Sequence, residues 1–190
     1  MAWKLHCLLL DKACKQTKMR TPQQNIILTG MPAVGKSTLG VLLAKRLGMA
    51  FVDTDIAIQT AEQKSLQALI QANGLERFCD LEERHICALN YTDTVIATGG
   101  SVVYRAGAMH HLAAGGTVVY LEIDLDNLVR RLSDIDARGV VYAPGQSLAD
   151  LYAERLPLYQ STADTIVRAS GVTPDQLVSR VIEQLDNLPV

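Results

Sequence analysis

At 190 residues, with 48% apolar and 20% charged residues and a net charge of −2, the chain has the make-up of one globular domain that can bury a core without disulfide or metal staples. That balance excludes an overall pull toward nucleic acid or an anionic membrane, and no basic stripe with interleaved aromatics appears beyond the first residues. No apolar run reaches the ~18 residues of a membrane span.

Residues 1–23 read as an N-terminal tail, disordered or loosely helical. Lys4, Lys12, Lys15, Lys18 and Arg20 stand there against one acid, Asp11. The apolar run at 7–10 is short for a signal peptide, and no small-residue cleavage site follows it. Met19, just before the first strand, offers an alternative start. Residues 24–190 form the expected domain.

From Gln24 onward strand and helix alternate, the pattern of an α/β protein whose parallel sheet carries helices on both faces. Residues 25–29 are a short β-branched run, as a buried parallel strand should be. A loop at 30–35 leads into a helix at 36–47, with Leu39, Leu42, Leu43 and Leu47 at helical spacing and Gly48 as its stop. The second strand is 50–53. Helix is expected from about Ile56, again at 65–72, and, after a break at Asn73-Gly74, at 75–89. Strands follow at 94–97, 117–123 and 165–168, which makes five. Between the last two lie a helix at 126–133, a loop at 134–147 and a helix from Ser147 that Pro157 interrupts or restarts. Thr173-Pro174 with Gln176 is a capping box with proline in the first turn, and it opens the final helix.

The four cysteines, Cys7, Cys14, Cys79 and Cys87, form no C-x-x-C pair, and they read as reduced, mostly buried thiols of a cytoplasmic protein. His6, His85, His110 and His111 show no metal-ligand spacing, and the His110-His111 pair is expected on a helix or loop surface.

Gly30-Met31-Pro32-Ala33-Val34-Gly35-Lys36-Ser37 matches G-x-x-x-x-G-K-[ST]. Glycines let the backbone curl so that successive N–H groups point at phosphate oxygens. The helix starting at Lys36 adds the positive end of its dipole. Lys36 is a mobile charge for the β- and γ-phosphates, and the Ser37 hydroxyl is an oxygen ligand suited to Mg²⁺. With Thr38, these residues are the expected ATP site, and the position between a strand and a helix is the context that separates a true loop from a chance match.

Beyond this loop the chain resembles the shikimate kinases, a branch of the P-loop proteins with a nucleoside-monophosphate-kinase-like fold, over about 25–188. The likeness rests on Asp53-Thr54-Asp55 at the end of the second strand, Thr98-Gly99-Gly100 after the third, Arg131 and Arg138 seven residues apart, and Arg155-Leu156-Pro157-Leu158-Tyr159. It implies a three-layer P-loop kinase fold with a lid at about 134–147. It further implies transfer of the γ-phosphoryl group of MgATP to the 3-hydroxyl of shikimate, a step of aromatic amino acid biosynthesis.

By the same likeness Asp53 joins Ser37 in holding Mg²⁺, and Asp55 binds the acceptor hydroxyl and takes its proton. Gly99 and Gly100 bring backbone to the substrate. Arg131 stacks near the adenine, Arg138 neutralises charge on the transferring group, and Arg155 grips the substrate carboxylate as a bidentate fork. Lys36, Asp55 and Arg138 are thus the expected catalytic residues. A D-x-D alone is more often a pair of turn carboxylates, and Gly-Gly is more often only a turn. The place of Asp53 and Asp55 at the carboxyl end of a strand, where such sheets bind ligands, reverses that weighting.

The departures lie on the acceptor and lid side. Cys79 stands where the family pattern has a second carboxylate-binding arginine, and the loss of one charge-assisted partner costs about 1.5–3 kcal/mol, or about 10- to 150-fold in affinity. Arg77 and Arg84 fall on other helix faces and do not replace it, and the same-face neighbours are Glu76, Glu82 and Glu83. Ser101 replaces a third glycine, and Gly139 follows Arg138 where proline is usual. The alternatives to a shikimate kinase are therefore a related small-molecule kinase with another acceptor, for which Cys79 and Ser101 speak, and a non-catalytic nucleotide-binding homologue. A monomer acting on ATP and a small polyol acid such as shikimate, with no nucleic-acid or membrane partner, is the expectation.

Overall fold

A computed structural model describes residues 24–133 and 145–188. The tail at 1–23 and most of the expected lid, Arg138 and Gly139 with it, lie outside them. The described chain runs β1 (Asn25–Thr29), α1 (Lys36–Leu47), β2 (Ala50–Asp53), α2 (Thr54–Glu62), α3 (Leu66–Cys87), β3 (Thr94–Ala97), α4 (Ala106–Gly115), β4 (Gly116–Glu122), α5 (Leu125–Ser133), α6 (Leu148–Thr162), β5 (Thr165–Arg168) and α7 (Pro174–Asp186).

The five strands form one all-parallel sheet in the order β2-β3-β1-β4-β5. Right-handed crossovers then put α1 and α7, which pack on each other, on one face and α3, α4 and α6 on the other. β1 sits at the centre with all five residues buried, as its apolar run requires. Ile26, Ile27 and Leu28 join Val118, Val119, Tyr120 and Leu121 of β4 in the main core, and Ile58, Leu69 and Phe78 form a second cluster between α2 and α3.

Local signals explain most boundaries. Gly48 ends α1 in the left-handed region, its N–H bonded to the Ala44 carbonyl. Both Thr173-Gln176 and Ser147-Asp150 close capping boxes. The expected break at Asn73-Gly74 is a kink inside α3, where Gly74 takes φ 78° and ψ 165°, a conformation open essentially to glycine alone.

Three expectations need correction. A helix begins at Thr54 rather than Ile56, because the Asp53 carboxylate caps it. Pro157 neither stops nor restarts α6. It is exposed, and so is Ala153, the residue whose carbonyl a proline at 157 cannot bond, so water can serve that group. Finally, α4 lies in a stretch where no element was expected. It carries His110 on its exposed side, while the His111 ring lies 2.9 Å from the Leu89 carbonyl oxygen. The thiols divide also: Cys79 is buried and Cys87 is exposed. No helix among the described residues is long and apolar enough to cross a membrane.

Candidate active site

All the sequence-derived site residues within the described regions lie at the carboxyl ends of β1, β2 and β3 or on helices that flank that edge. The loop after β1 curls through left-handed φ at Ala33 (61°) and Gly35 (104°), with Gly30 at φ 141°. A side chain at Gly30 is excluded twice, by that φ and by the Leu121 carbonyl oxygen 2.7 Å from where its Cβ would stand. Met31 and Val34 turn inward and are buried, Pro32 and Ala33 are half-buried, and Ser37 and Thr38 at the start of α1 are exposed.

Lys36 is buried, and its ammonium donates to the carbonyls of Gly30 (2.8 Å) and Met31 (2.9 Å). Burial lowers its pKa to about 8, against the pull of Asp55. Arg131 donates to the Val34 carbonyl at 2.6 Å and to the Ala169 carbonyl at 3.1 Å, which ties the loop to the end of β5.

Across from the loop, Ser37 Oγ donates to Asp53 Oδ2 at 2.5 Å. The other carboxylate oxygen of Asp53 accepts from the backbone N–H groups of Asp55 (3.0 Å) and Ile56 (3.3 Å). A hydroxyl and a carboxylate in contact are a donor set of the kind a hard divalent cation takes, so these two residues fit Mg²⁺. Asp55, in the first turn of α2, is raised by burial to about 6, with Lys36 opposing.

A small pocket is lined by Pro32, Asp55, Phe78, Gly99, Gly100, Ser101 and Arg155 together with Leu66. Cβ atoms on its glycine wall would press on the site's own side chains. One at Gly99 would collide with Glu82 and sit 2.7 Å from Asp55 Oδ1, and one at Gly100 would sit 3.1 Å from Arg155 Nη1. Arg155 is 1% exposed, its Nε donates to the Tyr104 hydroxyl at 3.0 Å, and its Nη2 has no partner among the described residues. A buried guanidinium with an unused N–H beside a pocket is chemically a carboxylate receptor. Cys79 is not on the pocket wall. It is 2% exposed, and burial together with the Glu82 charge pushes its thiol up to about 11, so it offers no cation.

Four residues of this site escaped the sequence reading as contributors. Glu82, weighed only as a repelling charge, is 1% exposed, accepts from Ser101 Oγ at 2.6 Å and leaves Oε1 without a partner. Burial pushes its carboxyl up to about 7, with the Ser101 bond opposing. Thr54 Oγ1 accepts from the Gly99 N–H at 3.2 Å, locking the β2 end to the β3 end. Tyr104 holds Arg155 from the short 3₁₀ turn Val102–Tyr104. Tyr159 donates to the Gly100 carbonyl at 2.6 Å and stacks on Tyr120 with centroids 5.1 Å apart. Three of the four sit inside stretches that carry the family likeness, Thr54 between Asp53 and Asp55, Glu82 three residues after Cys79, and Tyr159 at the end of R-x-P-L-Y, whereas Tyr104 had no such signal.

Comparison with known proteins gives the family. The family model described as shikimate kinase matches residues 32–186. A shikimate kinase of Pseudomonas aeruginosa (strain LESB58) is 38% identical over 168 residues, which is 87% of this chain and 98% of that protein. One from Paracidovorax citrulli is 37% identical over 174 residues, 88% of this chain and 95% of that protein. Among solved structures, the shikimate kinase of Acinetobacter baumannii in complex with shikimate superposes with a TM-score of 0.79 at 27% identity, covering 94% of this chain and 99% of that one. A model matched across most of the chain, and relatives above 30% identity matched over nearly their whole length, establish that this chain belongs to the shikimate kinase family.

Proposed function

We propose that this protein transfers the γ-phosphoryl group of ATP to the 3-hydroxyl of shikimate. The observation that carries the reading is the convergence of three groups: the Asp55 carboxyl and the buried Arg155 guanidinium, with an unused Nη2, line one pocket, and the Lys36 ammonium in its loop lies close enough to feel both charges. The loop and its lysine suit a triphosphate. Asp55 suits an alcohol whose proton must leave, and Arg155 suits the carboxylate at the other end of a small ring.

Ser37 and Asp53 would hold Mg²⁺ with the nucleotide, and the ion would supply charge neutralisation on the phosphates. Asp55, when ionised, orients the acceptor hydroxyl and accepts its proton as the P–O bond forms. Lys36 follows the charge on the transferring phosphoryl oxygens, and Arg138 has the same role in this reading. Arg155 fixes the ring so that the hydroxyl lies in line. No covalent enzyme intermediate is required, so the rate comes from positioning and electrostatics. The unpaired thiols Cys79 and Cys87 suit a reducing, cytoplasmic setting.

The test is a coupled ADP-release assay with shikimate, quinate, gluconate and nucleosides. Shikimate turnover at a rate ordinary for kinases, about 1–100 s⁻¹, is the expected result. Preference for another member of the panel would move the assignment to a kinase of altered acceptor, the reading that the neutral Cys79 thiol favours. MgATP binding without transfer to any acceptor would overturn the enzymatic reading.

A further inference from the structure

An arginine at position 79 would sit beside Glu82, because residues three apart on a helix are neighbours on its surface. This chain has a buried neutral thiol there, and the partner of Glu82 comes from a different element. Ser101, itself standing where the family turn has a third glycine, donates its hydroxyl to Glu82 Oε2 at 2.6 Å, and both residues are buried. Three residues on, Tyr104 acts on the other buried charge. Its hydroxyl accepts from Arg155 Nε at 3.0 Å, and its ring centroid lies 4.8 Å from the guanidinium carbon. One turn after β3 thus supplies one hydrogen-bonding partner to Glu82, which lies against Gly99 of the pocket wall, and one to Arg155, which lines the pocket. A buried charge left without partners is destabilising and free to rotate away from its productive pose. Each charge also keeps a buried atom with no hydrogen-bond partner among the described residues, Glu82 Oε1 and Arg155 Nη2.

We propose that Ser101 and Tyr104 are positioning residues, Ser101 orienting Glu82 and Tyr104 orienting Arg155, and that together they do with neutral hydroxyls what a second arginine at position 79 would do with charge. The inference rests on the acid-acceptor reading above. It also makes a distinction which that reading does not. A guanidinium at 79 would hold Glu82 and also offer donors to the acceptor, whereas the Ser101 hydroxyl is committed to Glu82. Grip on the acceptor's carboxylate therefore falls to Arg155 and to the residue that aims it.

The experiment is a double-mutant cycle read by steady-state kinetics, with the acceptor and MgATP varied separately. Wild type, Ser101→Gly, Cys79→Arg and the double variant are compared, alongside Tyr104→Phe, Ser101→Ala and Ser101→Thr. Ser101→Gly should lower kcat/KM for shikimate about tenfold in the natural background. In the Cys79→Arg background the same change should cost less than about twofold. Tyr104→Phe, which keeps the ring, should raise the shikimate KM about tenfold while leaving the MgATP KM within about twofold. Equal loss from Ser101→Gly in both backgrounds, or an unchanged shikimate KM in Tyr104→Phe, overturns the proposal.

Should Cys79→Arg fail to fold, judged by its melting profile, the decision passes to position 101. Ser101→Thr retains activity and Ser101→Ala loses it if the hydroxyl matters, and equal loss refutes it. Failure of the wild type on shikimate overturns the acceptor assignment instead. The cycle is then read with whichever panel acid is turned over or, with none, from melting midpoints, where strict additivity is the refuting result.

Discussion

Asp53 links nucleotide site and acceptor site through its two oxygens: Oδ2 takes the Ser37 hydroxyl at 2.5 Å, and Oδ1 caps the helix that carries Asp55. Asparagine can keep the capping oxygen and still lacks the charge. Asp53→Asn should therefore unfold within about 0.5 kcal/mol of wild type in urea, while Asp53→Ala loses about 1 kcal/mol with its cap. Both should need far more Mg²⁺ for half-maximal rate. A Mg²⁺ requirement unchanged in Asp53→Asn removes this residue from the metal site.

Lys36→Met should abolish measurable phosphoryl transfer, a loss of about 10³-fold or more, since the ammonium is the one loop side chain that can follow charge onto the transferring group. The check is initial rate at saturating MgATP. A variant with more than a tenth of wild-type activity, on the ~10³-fold scale expected of such a donor, refutes its role.

Arg155→Lys keeps the charge and gives up the fork, the Tyr104 bond and the stacking. The shikimate KM should rise by about 10- to 150-fold, with the MgATP KM unmoved. Equal increases in both constants would mean that Arg155 supports the whole cleft rather than the acceptor end.

Two pH effects follow. With Asp55 raised to about 6 and Lys36 lowered to about 8, kcat/KM for shikimate should form a bell, falling below the first value as Asp55 protonates and above the second as Lys36 loses its charge. Stability follows Glu82, whose folded pKa of about 7 exceeds its ordinary 4.5. A raised carboxyl pKa means that the folded state holds a proton the unfolded chain has released. Its contribution is present below about pH 4.5 and is lost as pH rises through about 7. Glu82→Gln should flatten that segment of the stability–pH curve, measured by urea unfolding at each pH. An equally steep curve in the variant assigns the slope to other groups.

Gly74→Ala isolates a purely conformational cost. Nothing lies within 4 Å of a Cβ there, yet φ 78° and ψ 165° are almost closed to alanine. The expected loss is about 1–3 kcal/mol in unfolding free energy, and a neutral result would mean that the kink in α3 is dispensable.

Much of this molecule was open to reading from its residues. The Gly30–Ser37 loop, the five short apolar strands and the Thr173-Gln176 cap are local signals, and local signals survive without a fold. What stayed hidden depends on distance. Glu82 reads as one more acid beside Glu76 and Glu83 until Ser101, 19 residues on, is folded against it. Tyr104 and Arg155 lie 51 residues apart, and no periodicity joins them. Helix α4 is spelled with small residues and two histidines, and its short stripe of Ala108, Met109 and Leu112 stands out only once neighbouring elements bury it.

The lysine folded onto the Gly30 and Met31 carbonyls has a thermodynamic corollary for calorimetry. Two of the three N–H donors of that ammonium are already engaged, so phosphate can take the third directly but gains the others only by displacing the two carbonyls. Nucleotide capture by more than that one donor is thus a swap of ligands on nitrogen, and that part of the heat released reports a difference between two sets of contacts. A modest binding enthalpy in this enzyme would conceal a strong ammonium–phosphate attraction, and deleting the side chain would perturb the resting loop as well as its grip on ATP.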